Sequence, residues 1–238
     1  MTADMGVELD AALSQLAGEE GLRCVVLTGE GEAFSAGGDL DMLETFARLA
    51  REEGFDATAP MREFYGRYLS VRELPVPVIA AVNGHAIGAG LCVALACDIL
   101  IVAGRAQMGL NFSRIGIHPG MGATWLLPRA VGWQRAAELL FTGRLFTGIE
   151  AVEMGMALEA PAAHDVLRRA MVLAGEIAAS APLVIRDLKR SLNESSTRTL
   201  QEQLDIEATR QAASYGTADV IEGLTAARAR RTPNFRGE

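Results

Sequence analysis

The sequence predicts a protein of the α/β class with a helical C-terminal part. Short, wholly apolar runs that end in glycine alternate with segments of helical periodicity in the first two thirds of the chain. The last third of the chain shows only helical periodicity. Half of the 238 residues are hydrophobic and 22% are charged, which is enough apolar material for a substantial core. Apolar strands covered by helices on both faces are typical of α/β folds.

The elements alternate in order along the first part of the chain. Strands are predicted for three apolar runs, at residues 23–29, 75–84 and 99–104. Helices are predicted for residues 5–16, for segments within residues 40–74, and for a run that begins near Gly90. We therefore expect three buried strands with helices between them.

The C-terminal part has no convincing strand after residue 164. Helical periodicity covers residues 177–192 and 199–213. A break near Pro161 divides the prediction into an α/β core of residues 1–160 and a helical part of residues 161–238.

Charge and cysteine content exclude several classes of function. The net charge of −8 and a pI near 5.0 disfavour nucleic acid or an anionic membrane surface as a partner. The three cysteines lack metal-ligand spacing and lie in apolar surroundings, which favours reduced thiols. The first ten residues lack the apolar core of a secretion signal. We expect a cytoplasmic protein, with no metal and no membrane partner.

Two glycine-rich turns are the candidate functional segments. Residues 33–40 read AFSAGGDL, and residues 83–99 read NGHAIGAGLCVALACDI. Glycine permits positive φ and a close approach of backbone to ligand, and the first turn of a helix has unpaired N–H groups. Together such turns can form an oxyanion hole, although glycine turns more often serve packing alone. Neither turn matches a nucleotide-phosphate fingerprint.

These two segments, with GIHPGMGATWLLPRAVG at residues 116–132 and the last helical segments, resemble the enoyl-CoA hydratase/isomerase, or crotonase, superfamily over nearly the whole chain. The resemblance implies a crotonase-like spiral of ββα units, with a helical C-terminal part that serves trimerisation into trimers or hexamers. It implies an acyl-CoA thioester as ligand and no separate cofactor, since coenzyme A is part of the substrate. Family members begin with a pair of strands, whereas this sequence begins within the first helix.

The resemblance also implies roles for individual residues. The backbone N–H groups of Gly38 and Ala89 form the oxyanion hole, and Ser35 and Ala36 line the wall beside the coenzyme A arm. Phe112 is a further substrate-binding residue. Tyr65 and its neighbour Tyr68 belong to the segment that covers the acyl tail, where aromatic side chains line the pocket.

The acidic positions of the family are not retained. Hydratases of the family place two glutamates where this sequence has Cys92 and Phe112, and other branches place an aspartate where it has Gly120. None of these three residues carries the carboxylate that acts as acid or base in those mechanisms. The usual two-glutamate hydration is therefore not expected.

Two side chains are candidate substitutes. His118 has an ordinary pKa suited to acid/base chemistry, but it also fits a turn-capping role before Pro119. Cys92 lies in the first turns of the helix that begins near Gly90, where the helix dipole can lower a thiol pKa, although such a cysteine is more often a small core residue.

We expect an enzyme, either a lyase or an isomerase, that stabilises a thioester enolate. One alternative is an acyl-CoA carrier or sensor without catalysis. Another is a CoA-thioester hydrolase or decarboxylase that uses polar groups such as Asn111 or His118.

Overall fold

The computed structural model describes all 238 residues, and the chain forms two compact units. The first comprises Met1–Glu20, Val26–Leu74 and Val78–Met171, and the second comprises Gly21–Val25, Pro75–Pro77 and Val172–Glu238. In the C-terminal part of the chain the division between the units falls after Met171. Within the first unit, Arg169 forms an ion pair of 2.6 Å with Glu159.

Ten α-helices and seven short strands make up the chain. The helices are α1 (Ala3–Ala17), α2 (Leu40–Glu53), α3 (Thr58–Leu69), α4 (Ala89–Ala96), α5 (Ala123–Thr142), α6 (Gly148–Glu153), α7 (Val166–Ala178), α8 (Pro182–Ser195), α9 (Leu200–Ser214) and α10 (Ala218–Ala229). The strands are β1 (Val25–Thr28), β2 (Ala33–Ser35), β3 (Val78–Val82), β4 (His85–Ile87), β5 (Ile99–Val102), β6 (Gln107–Gly109) and β7 (Phe146–Thr147). No helix combines the length and the apolar character that a membrane span needs.

The three predicted strands are confirmed and form one sheet in the order β1-β3-β5. All five residues of β3 are buried, and β3 pairs in parallel with β5. Helix α4 is not amphipathic, because all eight of its residues are buried. Its position within the core explains why the sequence from residue 89 to 96 lacks any charged residue.

A second sheet, in the order β2-β4-β6-β7, was not predicted from the hydrophobic pattern of the sequence. Its strands have two or three residues each, too few to show alternation in the sequence. Strands β2 and β4 are parallel neighbours, and β4 is also parallel to β6. Because parallel strands end at the same sheet edge, the turn after Ser35 and the turn after Ile87 lie side by side.

The second unit is helical, as predicted. The predicted helix over residues 177–192 is instead two helices, since α7 ends at Ala178 and Pro182 begins α8. Proline lacks an N–H, which suits the first position of a helix and not its interior. Within this unit the ammonium group of the buried Lys189 donates to the carbonyl of Val76 at 2.9 Å.

Candidate functional site

The two glycine-rich turns contact each other at the edge of the second sheet. Gly37 has φ +99°, and a Cβ placed there would lie 2.8 Å from the carbonyl oxygen of Ile87 and 3.8 Å from the amide nitrogen of Ala89. On the other side, a Cβ on Gly90 would lie 2.5 Å from Cβ of Ser35. Both close approaches need glycine, because a side chain at either place would force the turns apart.

Two backbone N–H groups are left without partners where the turns meet. The N–H of Gly38 makes no hydrogen bond within the chain, while those of its neighbours Gly37 and Asp39 are used. Ala89 is the first residue of α4, so its N–H has no acceptor in that helix. Ala89 is only 5% exposed, and unpaired donors in such a place favour an acceptor supplied from outside the chain.

Ser35 and Ala36 occupy the first of these turns. The hydroxyl oxygen of Ser35 accepts a hydrogen bond from the N–H of Gly37 at 3.2 Å, and its side chain packs against Gly90. Ser35 therefore helps to shape the turn. Ala36 is exposed. Contact of these two residues with coenzyme A stays a prediction.

Asp39, which follows the turn, begins the next helix. Its carboxylate accepts from the N–H of Asp41 at 3.0 Å and caps α2. Asp39 is therefore the N-cap of α2, a position at which aspartate is strongly preferred.

Phe112 and Asn111 lie in the 3₁₀ turn after β6, close to Gly88, the residue that precedes α4. A Cβ on Gly88 would lie 3.8 Å from Cζ of Phe112 and 3.6 Å from Oδ1 of Asn111. Both side chains thus face the turn that precedes Ala89. The next two residues point elsewhere, because Ser113 and Arg114 donate to carbonyls at the end of α5.

Cys92 lies one turn into α4 and is fully buried. Its thiol donates to the carbonyl of Gly120 at 3.8 Å. Burial raises the pKa of the Cys92 thiol to about 12, so the thiol is neutral and a poor nucleophile at neutral pH. A thiolate stabilised by the helix dipole is thus a wrong interpretation, and the core role is the correct one.

Tyr65, on α3, lies beside Gly120 and Cys92. Its hydroxyl and ring fill the space that a side chain on Gly120 would need, with Cζ 2.7 Å from the Cβ position. Burial, and next the neighbouring Cys92, raise the pKa of the Tyr65 hydroxyl. That hydroxyl makes no hydrogen bond within the chain, whereas Tyr68 on the same helix donates to the carbonyl of Thr2 at 2.7 Å. The sequence indicated only that Tyr65 lines the pocket, and its contact with Gly120 had no local signal.

The histidines have local roles in the structure. His118 is exposed, and its Nδ1–H donates to the carbonyl of Pro119 at 2.8 Å, which is the turn-capping contact. Nδ1 of His85 accepts from the N–H of Gln107 at 2.9 Å, a structural contact between β4 and β6. Catalysis by His118 stays a prediction that this contact does not favour.

A separate cleft of about 550 Å³ lies at the start of β4. Gly38 and Ala89 come after the ends of β2 and β4, so they lie at the opposite edge of the sheet. Its lining includes His85, Arg105 and Pro161. None of the residues assigned to the oxyanion hole lines it. This cleft and the site formed by the two turns are therefore different places, and the unpaired donors define the site.

Solved structures with the same fold cover almost the entire chain. An enoyl-CoA hydratase from Bacillus anthracis has a TM-score of 0.89 and 34% identity, covering 100% of this chain and 90% of that one. An enoyl-CoA hydratase from Polaromonas sp. JS666 also has a TM-score of 0.89 and 34% identity, covering 97% and 89%. The fold is thus of the crotonase class, with a helical C-terminal part.

The family model described as Enoyl-CoA hydratase/isomerase matches residues 1–238, and the chain belongs to this family. The 1,2-epoxyphenylacetyl-CoA isomerase of Escherichia coli is 35% identical over 99% of this chain and 89% of its own length. The mitochondrial methylglutaconyl-CoA hydratase of Homo sapiens is 35% identical over 97% of this chain and 68% of its own length. The chain is therefore an enzyme of the hydratase/isomerase kind, in a family that acts on acyl-CoA thioesters.

Proposed function

We propose that this protein is an acyl-CoA isomerase or lyase that stabilises a thioester enolate without the two-glutamate hydration mechanism. The observation behind the proposal is the pair of unpaired N–H groups, on Gly38 and Ala89, at the meeting point of two glycine turns. The thioester carbonyl oxygen would accept both hydrogen bonds, and its charge would grow as the α-proton passes to a base. Nε2 of His118 is the candidate base, since Nδ1–H of that ring donates to the carbonyl of Pro119.

The surroundings of these donors suit a developing negative charge. Ala89 begins a helix of eight residues that is buried along its whole length. The partial positive charge at a helix N-terminus stabilises an anion most strongly where water is excluded. Because the donors belong to rigid backbone, they need no reorganisation when the enolate forms.

The side chains around the donors argue against hydration by paired carboxylates. Cys92 is buried with a pKa of about 12, Phe112 is apolar, and Gly120 has no side chain. Water addition to a double bond needs a base for water and an acid for carbon. An isomerisation through an enolate needs only one proton-transfer group, which removes the α-proton and returns it elsewhere, together with the proposed oxyanion hole.

Exchange of the α-proton tests enolate formation directly. In ²H₂O the protein should incorporate deuterium at the α-carbon of butyryl-CoA, measured by mass spectrometry, and should hydrate crotonyl-CoA far more slowly than a relative with both glutamates. Ala89→Pro removes one donor at a helix position that accepts proline. Exchange should fall by about 100-fold to 1000-fold, the usual cost of losing one oxyanion-hole donor.

Ala3→Pro is the matched control, because Ala3 is likewise the first residue of a helix. It should leave exchange unchanged. Binding of butyryl-CoA without any exchange would refute the enolate proposal and favour the carrier. Rapid crotonyl-CoA hydration would refute the proposed departure from the hydratase mechanism, and turnover of malonyl-type thioesters alone would favour a decarboxylase.

The assembly and location belong to the same proposal. The helices of the second unit expose large apolar side chains, including Leu192 at 73% and Leu200 at 77% exposure. Such a surface supports association of identical chains into the trimer or hexamer that the resemblance implies. Native mass spectrometry would check the assembly, and cell fractionation would check the cytoplasmic location.

A further inference from the structure

The hydroxyl of Tyr65 is an unused hydrogen-bond donor at the candidate site. The side chain is half-buried and has no hydrogen-bond partner within the chain. In the free protein the hydroxyl keeps contact with solvent, since it is not one of the buried side-chain atoms that lack a partner. A bound acyl chain that displaced this solvent would leave the hydroxyl in need of a new partner, because an unpaired polar group costs free energy. An acceptor from a bound ligand would satisfy it.

The location of this hydroxyl is fixed from two sides. Gly120 leaves the space that the hydroxyl occupies, and its carbonyl accepts from the thiol of Cys92. Helical side chains point back toward the N-terminus, so Cys92 covers the first turn of α4, where Ala89 lies. Cys92 lies three residues after Ala89, which is about 4.5 Å along the helix axis. The Tyr65 hydroxyl thus lies beside Gly120 and Cys92, and Cys92 is on the helix that begins at Ala89.

The protonation state of this hydroxyl restricts what it can recognise. Its pKa is raised by burial and by Cys92, so it stays neutral at physiological pH. A neutral phenol in this place donates a hydrogen bond and is not a base. An oxygen atom on the acyl chain is the matching acceptor, and a purely hydrocarbon chain offers none.

We propose that Tyr65 is a specificity-determining residue that selects acyl-CoA thioesters with an oxygen substituent on the acyl chain. The hydroxyl donates to that oxygen while Gly38 and Ala89 bind the thioester carbonyl. This inference rests on the proposed function, because it requires the thioester to bind at the oxyanion hole. Gly120 contributes indirectly, since any side chain there would displace the tyrosine ring.

Binding measurements separate this inference from the reaction itself. Isothermal titration calorimetry would compare butyryl-CoA with 3-hydroxybutyryl-CoA, 4-hydroxybutyryl-CoA and acetoacetyl-CoA. At least one oxygenated thioester should bind about threefold to tenfold more tightly than butyryl-CoA, as one neutral hydrogen bond predicts. Tyr65→Phe keeps the aromatic ring and removes only the hydroxyl, so it should abolish the difference in Kd between the oxygenated thioester and butyryl-CoA.

Two further variants test position and chemistry separately. Gly120→Ala retains the hydroxyl but displaces it, so it should also abolish the preference. Tyr68→Phe makes the same chemical change on the same helix, away from Gly120, and should keep the preference. A preference that persists in Tyr65→Phe, or its absence in the unmodified protein, would overturn this inference alone. Failure of the unmodified protein to bind butyryl-CoA would overturn the proposed function and this inference together.

Discussion

Substitution of Gly90 by alanine should separate the two turns that form the oxyanion hole. The added Cβ would lie 2.5 Å from Cβ and 2.6 Å from Oγ of Ser35. It would also lie 2.9 Å from the carbonyl oxygen of Ser35, so rotation of the serine side chain cannot remove every overlap. The turn that contains Gly38 must therefore move away from α4.

The size of the movement sets the expected cost. Since nonbonded carbon atoms prefer a separation of about 3.5–4.0 Å, the two segments should separate by about 1 Å. Overpacking of this kind costs about 1–3 kcal/mol of folding free energy. A misplacement of about 1 Å at a reacting centre can reduce the rate about 100-fold. We expect both effects in Gly90→Ala.

Thermal unfolding and deuterium exchange into butyryl-CoA measure the two effects. The unfolding temperature should fall by about 2–4 °C for each kcal/mol lost in a chain of this length. Exchange should fall about 100-fold. Gly175→Ala is the matched control, since nothing lies within 4 Å of the added Cβ in that helix. It should raise stability slightly and leave exchange unchanged.

A second substitution tests the assigned cause. Ser35→Gly removes the atoms that overlap most closely with the new methyl group, so it should partly restore stability and exchange in Gly90→Ala. The two changes should be strongly non-additive. Wild-type stability and exchange in Gly90→Ala would refute the close contact between the turns.

Three other predictions concern single groups. Hydrogen bonds from Arg231 are the main cause that lowers the pKa of Glu222 to about 2. The ionised carboxylate should therefore contribute folding stability that is complete above pH 4.5 and is lost as pH falls toward 2. The melting temperature of Glu222→Gln, measured across pH, should lack this acid-dependent decline. Burial raises the pKa of Cys92 from 9.0 to about 12. The neutral thiol should therefore contribute folding stability that is complete below pH 9 and is lost as pH rises through 12. The melting temperature of Cys92→Ala, measured across pH, should lack this alkaline decline. Lys189→Met should lower folding stability by about 1–3 kcal/mol in urea unfolding, since the buried carbonyl of Val76 loses its donor.

The sequence predicted the first sheet well because its strands are strongly apolar. Strand β3 is buried along its whole length, so no periodicity was needed to recognise it. The second sheet was missed since strands of two or three residues are shorter than the pattern that defines a strand. Yet it is this sheet that places Ser35 and Ile87 at one edge and so brings the two turns together.

The candidate site was predictable only where backbone chemistry defines it. Glycines in two turns indicated close approach, and the structure shows the contact between Gly90 and Ser35 that requires them. The contact of Tyr65 with Gly120 was not predictable, because residues on α3 and on the turn before α5 meet only through tertiary packing. The neutral state of Cys92 likewise follows from complete burial, which helix position alone does not reveal.

The carbonyl carbon of a bound thioester offers the most direct test of the oxyanion hole. Butyryl-CoA labelled with ¹³C at the thioester carbon should show a downfield shift on binding, because two N–H donors polarise the carbonyl. In Ala89→Pro the shift should shrink while the complex still forms. A bound carbonyl resonance equal to that of free butyryl-CoA in water, or one unaffected by Ala89→Pro, would contradict the assignment of Gly38 and Ala89 as the donors.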